Sequence, residues 1–228
     1  MIAPRQIWRN VVDALFPSGR RARALYASAV AQARQPAFYA RLLVPDTPEG
    51  RFEMIALHVI LLIERLMRQA AAQRGMDRGA HAAELAREVQ ERLFDDMDAS
   101  LREMGVSDVA VPRRIRKLGA AFYDRMARYH EALARDDAQA LKRAILRHIY
   151  AATEPSVLTG RVSSASDGPQ RENDESLRQA ASALAQYALL AREVLKEVSL
   201  DDLRAGNIPW PAPPATIAKQ DASPTERT

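Results

Sequence analysis

The chain has no cysteine among its 228 residues. That excludes disulfides, thiolate nucleophiles, iron–sulfur ligation and cysteine-containing zinc sites, and it fits a reducing compartment. Aromatic residues make up only 6% and there are nine glycines. With few β-branched residues and abundant alanine, intrinsic preference favours helix over sheet. Lysine is nearly missing, since Lys117, Lys142, Lys196 and Lys219 are the only four among 33 basic residues; we read that first as coding bias. No apolar run reaches the roughly 20 residues that cross a bilayer. The longest, Met54 to Ile63, is interrupted by His58 and bounded by Glu53 and Glu64. The N-terminus lacks the continuous apolar stretch of a secretory signal. It is Arg-rich and acid-poor to Leu43, as a mitochondrial presequence would be, but its later part reads as a folded helix pair. G-x-G-x-x-G, the Walker loop, G-x-S-x-G and H-E-x-x-H are all missing, which removes the common phosphate, nucleophile and zincin signatures.

What is present is helical periodicity in a chain long enough for one domain. Residues 7 to 16 predict a short amphipathic helix stopped by Pro17, 19 to 34 a second, and 36 to 43 a third opened by Pro36. Thr47-Pro48-Glu49 is a start signal for a helix to about Gln73, whose residues are apolar nearly all round, the mark of a central, buried element. After a turn over 73 to 79, a helix from about Ala80 to Met104 carries Leu85, Val89, Leu93, Met97, Leu101 and Met104 inward and is closed by Gly105. Pro112 opens the next, with Ile115, Leu118, Phe122, Met126, Tyr129 and Leu133 at steps of three and four. Asp136 with Gln139 resembles a capping box for a helix from Asp137 to about Ala152, and Glu175 to Val198 is the last helix. The expectation is an all-α fold: a single multi-helix domain of about seven to eight helices with a Pro-rich, extended C-terminal tail. Its parts are an N-terminal amphipathic helix (1–18), a helical domain (19–206) with a mobile loop at 153–174, and a tail (207–228) that is extended and then disordered.

Charge is distributed in blocks. Residues 46–110 carry 8 basic and 13 acidic side chains, and residues 111–150 carry 10 and 4, so the net charge of +4 conceals two faces of opposite sign. Complementary potentials of this kind steer and orient macromolecular encounters without any bond being made or broken. Asp95, Asp96, Asp98 and Glu103 are the densest acids; without the glycine turn of a calcium loop they read as a solvated face, not a metal site. Arg113, Arg114, Arg116 and Lys117, with Arg125 and Arg128, form a basic face opposite an apolar seam, a docking surface or a merely solvated one. RNA is an alternative partner, though no recognition motif accompanies the cations. Gly119 within that helix implies a close neighbour. His58 reads as a hydrogen-bonded core histidine, with a haem or proton role as the alternative, His81 and Glu84 as a surface pair, and His130 and His148 as surface or boundary residues. Arg5, Trp8 and Arg9 could seat the first helix at a lipid interface or pack it on the domain.

Several spaced blocks carry a resemblance: Tyr39 to Glu53 (YARLLVPDTPEGRFE), Leu93 to Asp108 (LFDDMDASLREMGVSD), Val111 to Leu118 (VPRRIRKL) and Phe122 to Arg125. Together they resemble the ubiquinol-cytochrome c chaperone family, well over about 20–152 and more loosely over the last helix and Gly206 to Pro214. The resemblance implies an all-helical, non-enzymatic assembly factor for the cytochrome bc-type respiratory complex, without a cofactor. In mitochondrial members it receives newly made cytochrome b and associates with the translating ribosome. The residues carried over by position are Tyr39, Asp46, Arg51, Phe94, Asp96, Met97, Arg102, Glu103, Gly105, Asp108, Phe122, Tyr123 and Arg125, with Phe94, Met97 and Phe122 core rather than contact. The Pro-rich tail and the lack of an extended presequence point to the bacterial branch. The expected protein is therefore a cytoplasmic chaperone, peripheral at the inner membrane, that holds cytochrome b or another hydrophobic membrane-protein client through charged helical faces. A ribosome- or RNA-binding factor is the alternative; no DNA partner is expected.

Overall fold

The computed structural model describes residues 17–150 and 175–215. Eight α-helices are found among them: α1 (Pro17–Ala33), α2 (Pro36–Arg41), α3 (Pro48–Ala72), α4 (Asp77–Glu103), α5 (Val111–Ala134), α6 (Ala138–Ile145), α7 (Glu175–Glu197) and α8 (Leu200–Ala205). A single π-helical turn, Leu146–Tyr150, continues α6. The fold is all-α. The expected N-terminal helix with Arg5, Trp8 and Arg9, the loop at 153–174 and the end of the tail lie outside the described residues.

Helix α3 is the axis of the molecule because its sequence leaves it no polar face to show water. Every residue from Phe52 to Glu64 is buried, and α1, α4, α5, α7 and the π turn all pack against it. Each fully buried large apolar side chain contributes about 1.5–3 kcal/mol relative to exposure, so this one helix anchors much of the core. Its start is as the sequence predicts: Thr47 Oγ1 accepts the Gly50 amide at 3.1 Å, with Pro48 in the first turn.

Gly50 itself is required by packing. A Cβ there would lie 2.0 Å from the Pro45 carbonyl oxygen, which folds back over the helix start. Gly50→Ala is therefore expected to cost about 1–3 kcal/mol as overpacking, read as a lowered urea midpoint at unchanged slope. A loss under about 0.5 kcal/mol, the scatter of an ordinary surface change, would show that Pro45 yields freely.

Helix α4 begins at Asp77, three residues before the expected Ala80. Gly75 turns the chain at φ 84 and Met76 is already extended as the cap, so helix resumes at once. At its other end Gly105 takes φ 78, as expected. The amides of Val106 and Gly105 bond to the carbonyls of Leu101 and Arg102, a Schellman closure. The cap of α6 is Asp137, not Asp136: its Oδ1 accepts the amides of Gln139 and Ala140 at 3.0 and 2.8 Å. Asp136 instead turns the chain at φ 56 and accepts from buried Arg192 of α7 at 2.7 Å. Gly119 meets only the Phe94 ring, at an ordinary 3.8 Å, so the close approach expected there is absent.

The Pro-rich segment after α8 stays extended and lies along α1. Trp210 Nε1 donates to Ser28 Oγ at 3.1 Å, and Gln32 Nε2 donates to the Pro211 carbonyl at 2.9 Å. Gln32 also donates to the Tyr187 hydroxyl at 2.9 Å, and that hydroxyl lies 2.8 Å from His58 Nε2. On the other side of the ring, His58 Nδ1 is 2.8 Å from the Met54 carbonyl. A carbonyl only accepts, so Nδ1 carries the proton and Nε2 accepts from Tyr187. His58 is fully buried, and burial, opposed by the Met54 hydrogen bond, pushes its pKa down to about 4. The core-histidine reading is thus correct.

Candidate functional site

The start of α3 is held by Thr47 and by the Pro45 carbonyl, and this fixes Asp46 and Arg51 on one rim, where they pair at 2.7 Å. Leu43, just before them, adopts a left-handed φ of 54 and is 44% exposed, which lets its neighbours Leu42 and Val44 both turn inward. Such a conformation costs a leucine about 1–2 kcal/mol, so the packing around it enforces the turn. Two adjoining concavities of about 520 and 540 Å³ share Arg34, Asp46 and Arg51. The first runs between the start of α3 and the end of α4. Its floor includes buried Phe52, Ile55 and Met97, with Asp96, Glu103 and half-exposed Met104 on the α4 side. The second is walled by Tyr39 and Pro36 of α2.

The polar groups here are positioned by hydrogen bonds. The Tyr26 hydroxyl donates to Asp96 Oδ2 at 2.8 Å, and the Tyr39 hydroxyl donates to the Ala33 carbonyl at 2.9 Å. Burial, reinforced by the Asp96 bond and charge, pushes the Tyr26 hydroxyl well above its usual range, so it stays a donor. Arg51 holds Asp46 below the usual carboxylate range through their hydrogen bond. Both rim charges persist at neutral pH. The groove is an apolar trough edged by charges of both signs, and its lining residues include no nucleophile–base pair.

Of the residues singled out in the sequence, Tyr39, Asp46, Arg51, Asp96, Met97 and Glu103 converge on this groove although they come from three helices and a loop. Asp98, Arg102 and Asp108 form a separate chain of ion pairs across the α4–α5 turn: Arg102 Nε bonds Asp98 Oδ2 at 2.6 Å and its other arm meets Asp108. Asp95 lies 3.7 Å from Arg92. Arg113, Arg116 and Lys117 are exposed on α5, Arg114 is half-buried, and Arg128 pairs with Asp124 at 3.0 Å. The basic face is therefore not cancelled by Asp95, Asp96 and Asp98.

Arg125 departs from the expected surface role. Its guanidinium turns inward to Glu53 of α3, with Nε to Oε2 at 2.6 Å and a second bond between the same groups. Burial lowers its pKa, but the charge and hydrogen bonds of Glu53 outweigh that and raise it, so it remains a cation. Periodicity placed it on the polar side, but a boundary position on α5 faces Glu53, one of the two carboxylates buried in α3. The sequence signal was Glu53 itself, since an acid in an all-round apolar helix requires a buried partner. His148, expected at the surface or its boundary, has a side chain only 8% exposed.

Arg34 was not anticipated as a site residue, and Met104, expected to point inward, is instead 42% exposed at the groove. They stand at helix ends, where periodicity carries no information about facing. Among the described residues no three His, Asp or Glu side chains are grouped to hold a metal, and no helix is long and apolar enough to cross a membrane.

A search of curated proteins returned no match. The crystal structure of the Cbp3 homolog from Brucella abortus superposes with a TM-score of 0.65 at 35% sequence identity, covering 92% of this chain and 97% of that one. The family model described as ubiquinol-cytochrome C chaperone matches residues 40–210, a span that contains nearly all of the groove-lining residues. The chain belongs to the ubiquinol-cytochrome c chaperone family, a family of assembly factors and not of enzymes.

Proposed function

We propose that this protein serves biogenesis of the cytochrome bc complex by holding newly made cytochrome b in the groove between α2, α3 and α4. The observation that carries this reading is the convergence of Tyr39, Asp46, Arg51, Asp96, Met97 and Glu103 around an apolar floor. An apolar segment of a membrane protein gains by covering half-exposed Met104 from water and by packing against the groove floor at Phe52, Ile55 and Met97. Its flanking charges are met by Arg34 and Arg51 on one side and by Asp96 and Glu103 on the other. Nothing in such a site consumes energy, so binding is reversible and release follows when the client's own partners compete for the same surface. The basic face at Arg113, Arg116 and Lys117 orients the complex toward acidic client loops or the anionic membrane surface.

The test is photocrosslinking from Met104 in cells assembling the bc complex, with and without the paired substitution Arg34→Glu and Arg51→Glu. Exposed charge changes move stability by less than about 0.5 kcal/mol, so circular dichroism should be unchanged. Cytochrome b recovery should fall at least about tenfold, the factor that about 1.4 kcal/mol of lost binding produces. Equal recovery from the variant rejects the groove, and recovery of ribosomal RNA in place of cytochrome b favours the ribosome-binding reading instead.

A further inference from the structure

Helices α5 and α6 diverge from the Asp136–Asp137 turn and leave a groove of about 320 Å³ on the face that the client groove does not use. Its floor is alanine, at positions 132, 140 and 144, and its walls carry four arginines: Arg128 and Arg135 from α5, Arg143 and Arg147 from α6. The acids beside it are already engaged. Asp137 caps α6 and Glu131 pairs with Arg135 at 2.9 Å, while Arg128 draws on Asp124 outside the groove. Arg143 and Arg147 have no hydrogen-bonded or ion-paired side chain among the described residues.

Arg143 and Arg147 stand in the last turns of α6 and of the π turn, where the helix dipole favours cations, but two like charges four residues apart repel, and an anion between the guanidinia relieves that repulsion. The π turn bears on the same point. It begins at Leu146, directly before Arg147 and at the end of α6, and single π turns are frequent at functional sites. The local field is independently visible one residue along. Burial, and after it the charges of Arg125, Arg147 and Arg128 working against Asp124, push His148 down to about 4.

We infer that the α5–α6 groove is an anion site for a terminal phosphate group, held by the paired forks of Arg143 and Arg147 with Arg128 and Arg135 closing from the opposite wall. Planar guanidinia match carboxylate and phosphate oxygens alike, two at a time, but a phosphate dianion offers three terminal oxygens and twice the charge, so several converging arginines suit it better than a carboxylate. None of the groove-lining residues is aromatic, so a nucleobase finds no stacking platform, and RNA, which binds through stacking and base edges, is disfavoured. The volume is at the lower end of small-ligand sites and admits a head group, not a helix. The occupant is then a phosphomonoester-type dianion, either free in solution or borne by a lipid head group.

The experiment uses the full chain and the double variant Arg143→Gln with Arg147→Gln. Calorimetric titration with pyrophosphate reads the free ligand. Flotation on phosphatidylcholine vesicles with and without phosphatidic acid reads the lipid-borne one. Binding to either probe that weakens at least about tenfold in the variant supports the site, since charge-assisted bonds to two guanidinia are lost. Whichever probe responds identifies the source. Circular dichroism and recovery of cytochrome b from the variant should be unchanged, which separates failure here from failure of the client groove. Absence of binding to both probes, equal binding by the variant, or a preference for base-bearing RNA over pyrophosphate would overturn the inference.

Discussion

Arg125→Ala is expected to destabilise the fold by about 3–5 kcal/mol, because it leaves the Glu53 carboxylate buried without its counter-ion. Glu53 is only 6% exposed and sits in the most apolar stretch of the chain. Burial pushes its carboxyl pKa up against the pull of Arg125, so the pair exists on balance against desolvation. Two further contacts are lost with the arginine: its bond to the Ala121 carbonyl at 2.8 Å and its position over the Phe52 ring, 6.0 Å from the centroid. Replacing both partners by apolar or neutral groups of similar shape, Glu53→Gln with Arg125→Met, should recover most of the loss, since no uncompensated charge then remains. Urea unfolding of the two single variants and the double variant measures this directly. A cost below about 1 kcal/mol for Arg125→Ala, the level of an exposed pair, would mean that water reaches Glu53 freely.

Acidification should unfold the protein in a window set by its buried histidines. The folded-state pKa of His58 is pushed down to about 4 from an ordinary 6.5. The unfolded chain therefore takes up the proton first as pH falls. His58 contributes stability that is fully present above about pH 6.5 and is lost on the way to about pH 4, up to about 3 kcal/mol. Its surroundings offer no way to keep the cation: the ring is enclosed by Phe38, Tyr187 and Trp210, none of them charged. His148 acts in the same direction, also pushed down to about 4. Glu53 opposes both, because its raised pKa lets the folded state bind a proton as pH falls. Stability to urea measured from pH 7 to pH 4.5 should decline steeply in the parent and distinctly less in His58→Gln. Parallel pH profiles would show that His58 is not the group that titrates.

Much of the fold was legible in the sequence because it is written in local terms. The all-round apolar stretch from Phe52 to Leu66 announced α3 as central, the Thr47 cap and Gly105 closure marked helix ends to within a residue, and the position of His58 in that apolar run favoured a hydrogen-bonded core histidine. The errors fall where local rules compete. Gly75 and Met76 form so tight a turn that α4 starts before the polar residues run out. Ser199, whose hydroxyl accepts the Asp202 amide at 3.1 Å, and Gly206 at φ 75 enclose a six-residue helix too short for periodicity to reveal.

The functional residues divide in the same way. A resemblance in ordered blocks singled out Tyr39, Asp46, Arg51 and Asp96, but nothing in their spacing told that they share a groove. Arg34, Arg143 and Arg147 had no motif around them at all, since a lone arginine on a helix is the commonest solvated residue of this chain. Arg125 was misplaced because helical periodicity gives a side chain's angle about its own axis and not the identity of what stands opposite.

The amino-acid order alone determined the all-α class, the identity of the buried helix, most helix ends and the segregation of charge into blocks, because these depend on interactions within a few residues. Which charges face water was decided only in three dimensions. Arg125 and Arg192 are inward, Arg143 and Arg147 outward and side by side on one wall of a groove, and Asp46 and Asp96 come within one trough. The physical reason is that the energy of a charge depends on its desolvation and its partner, and both are properties of the packed assembly of helices and not of any one of them.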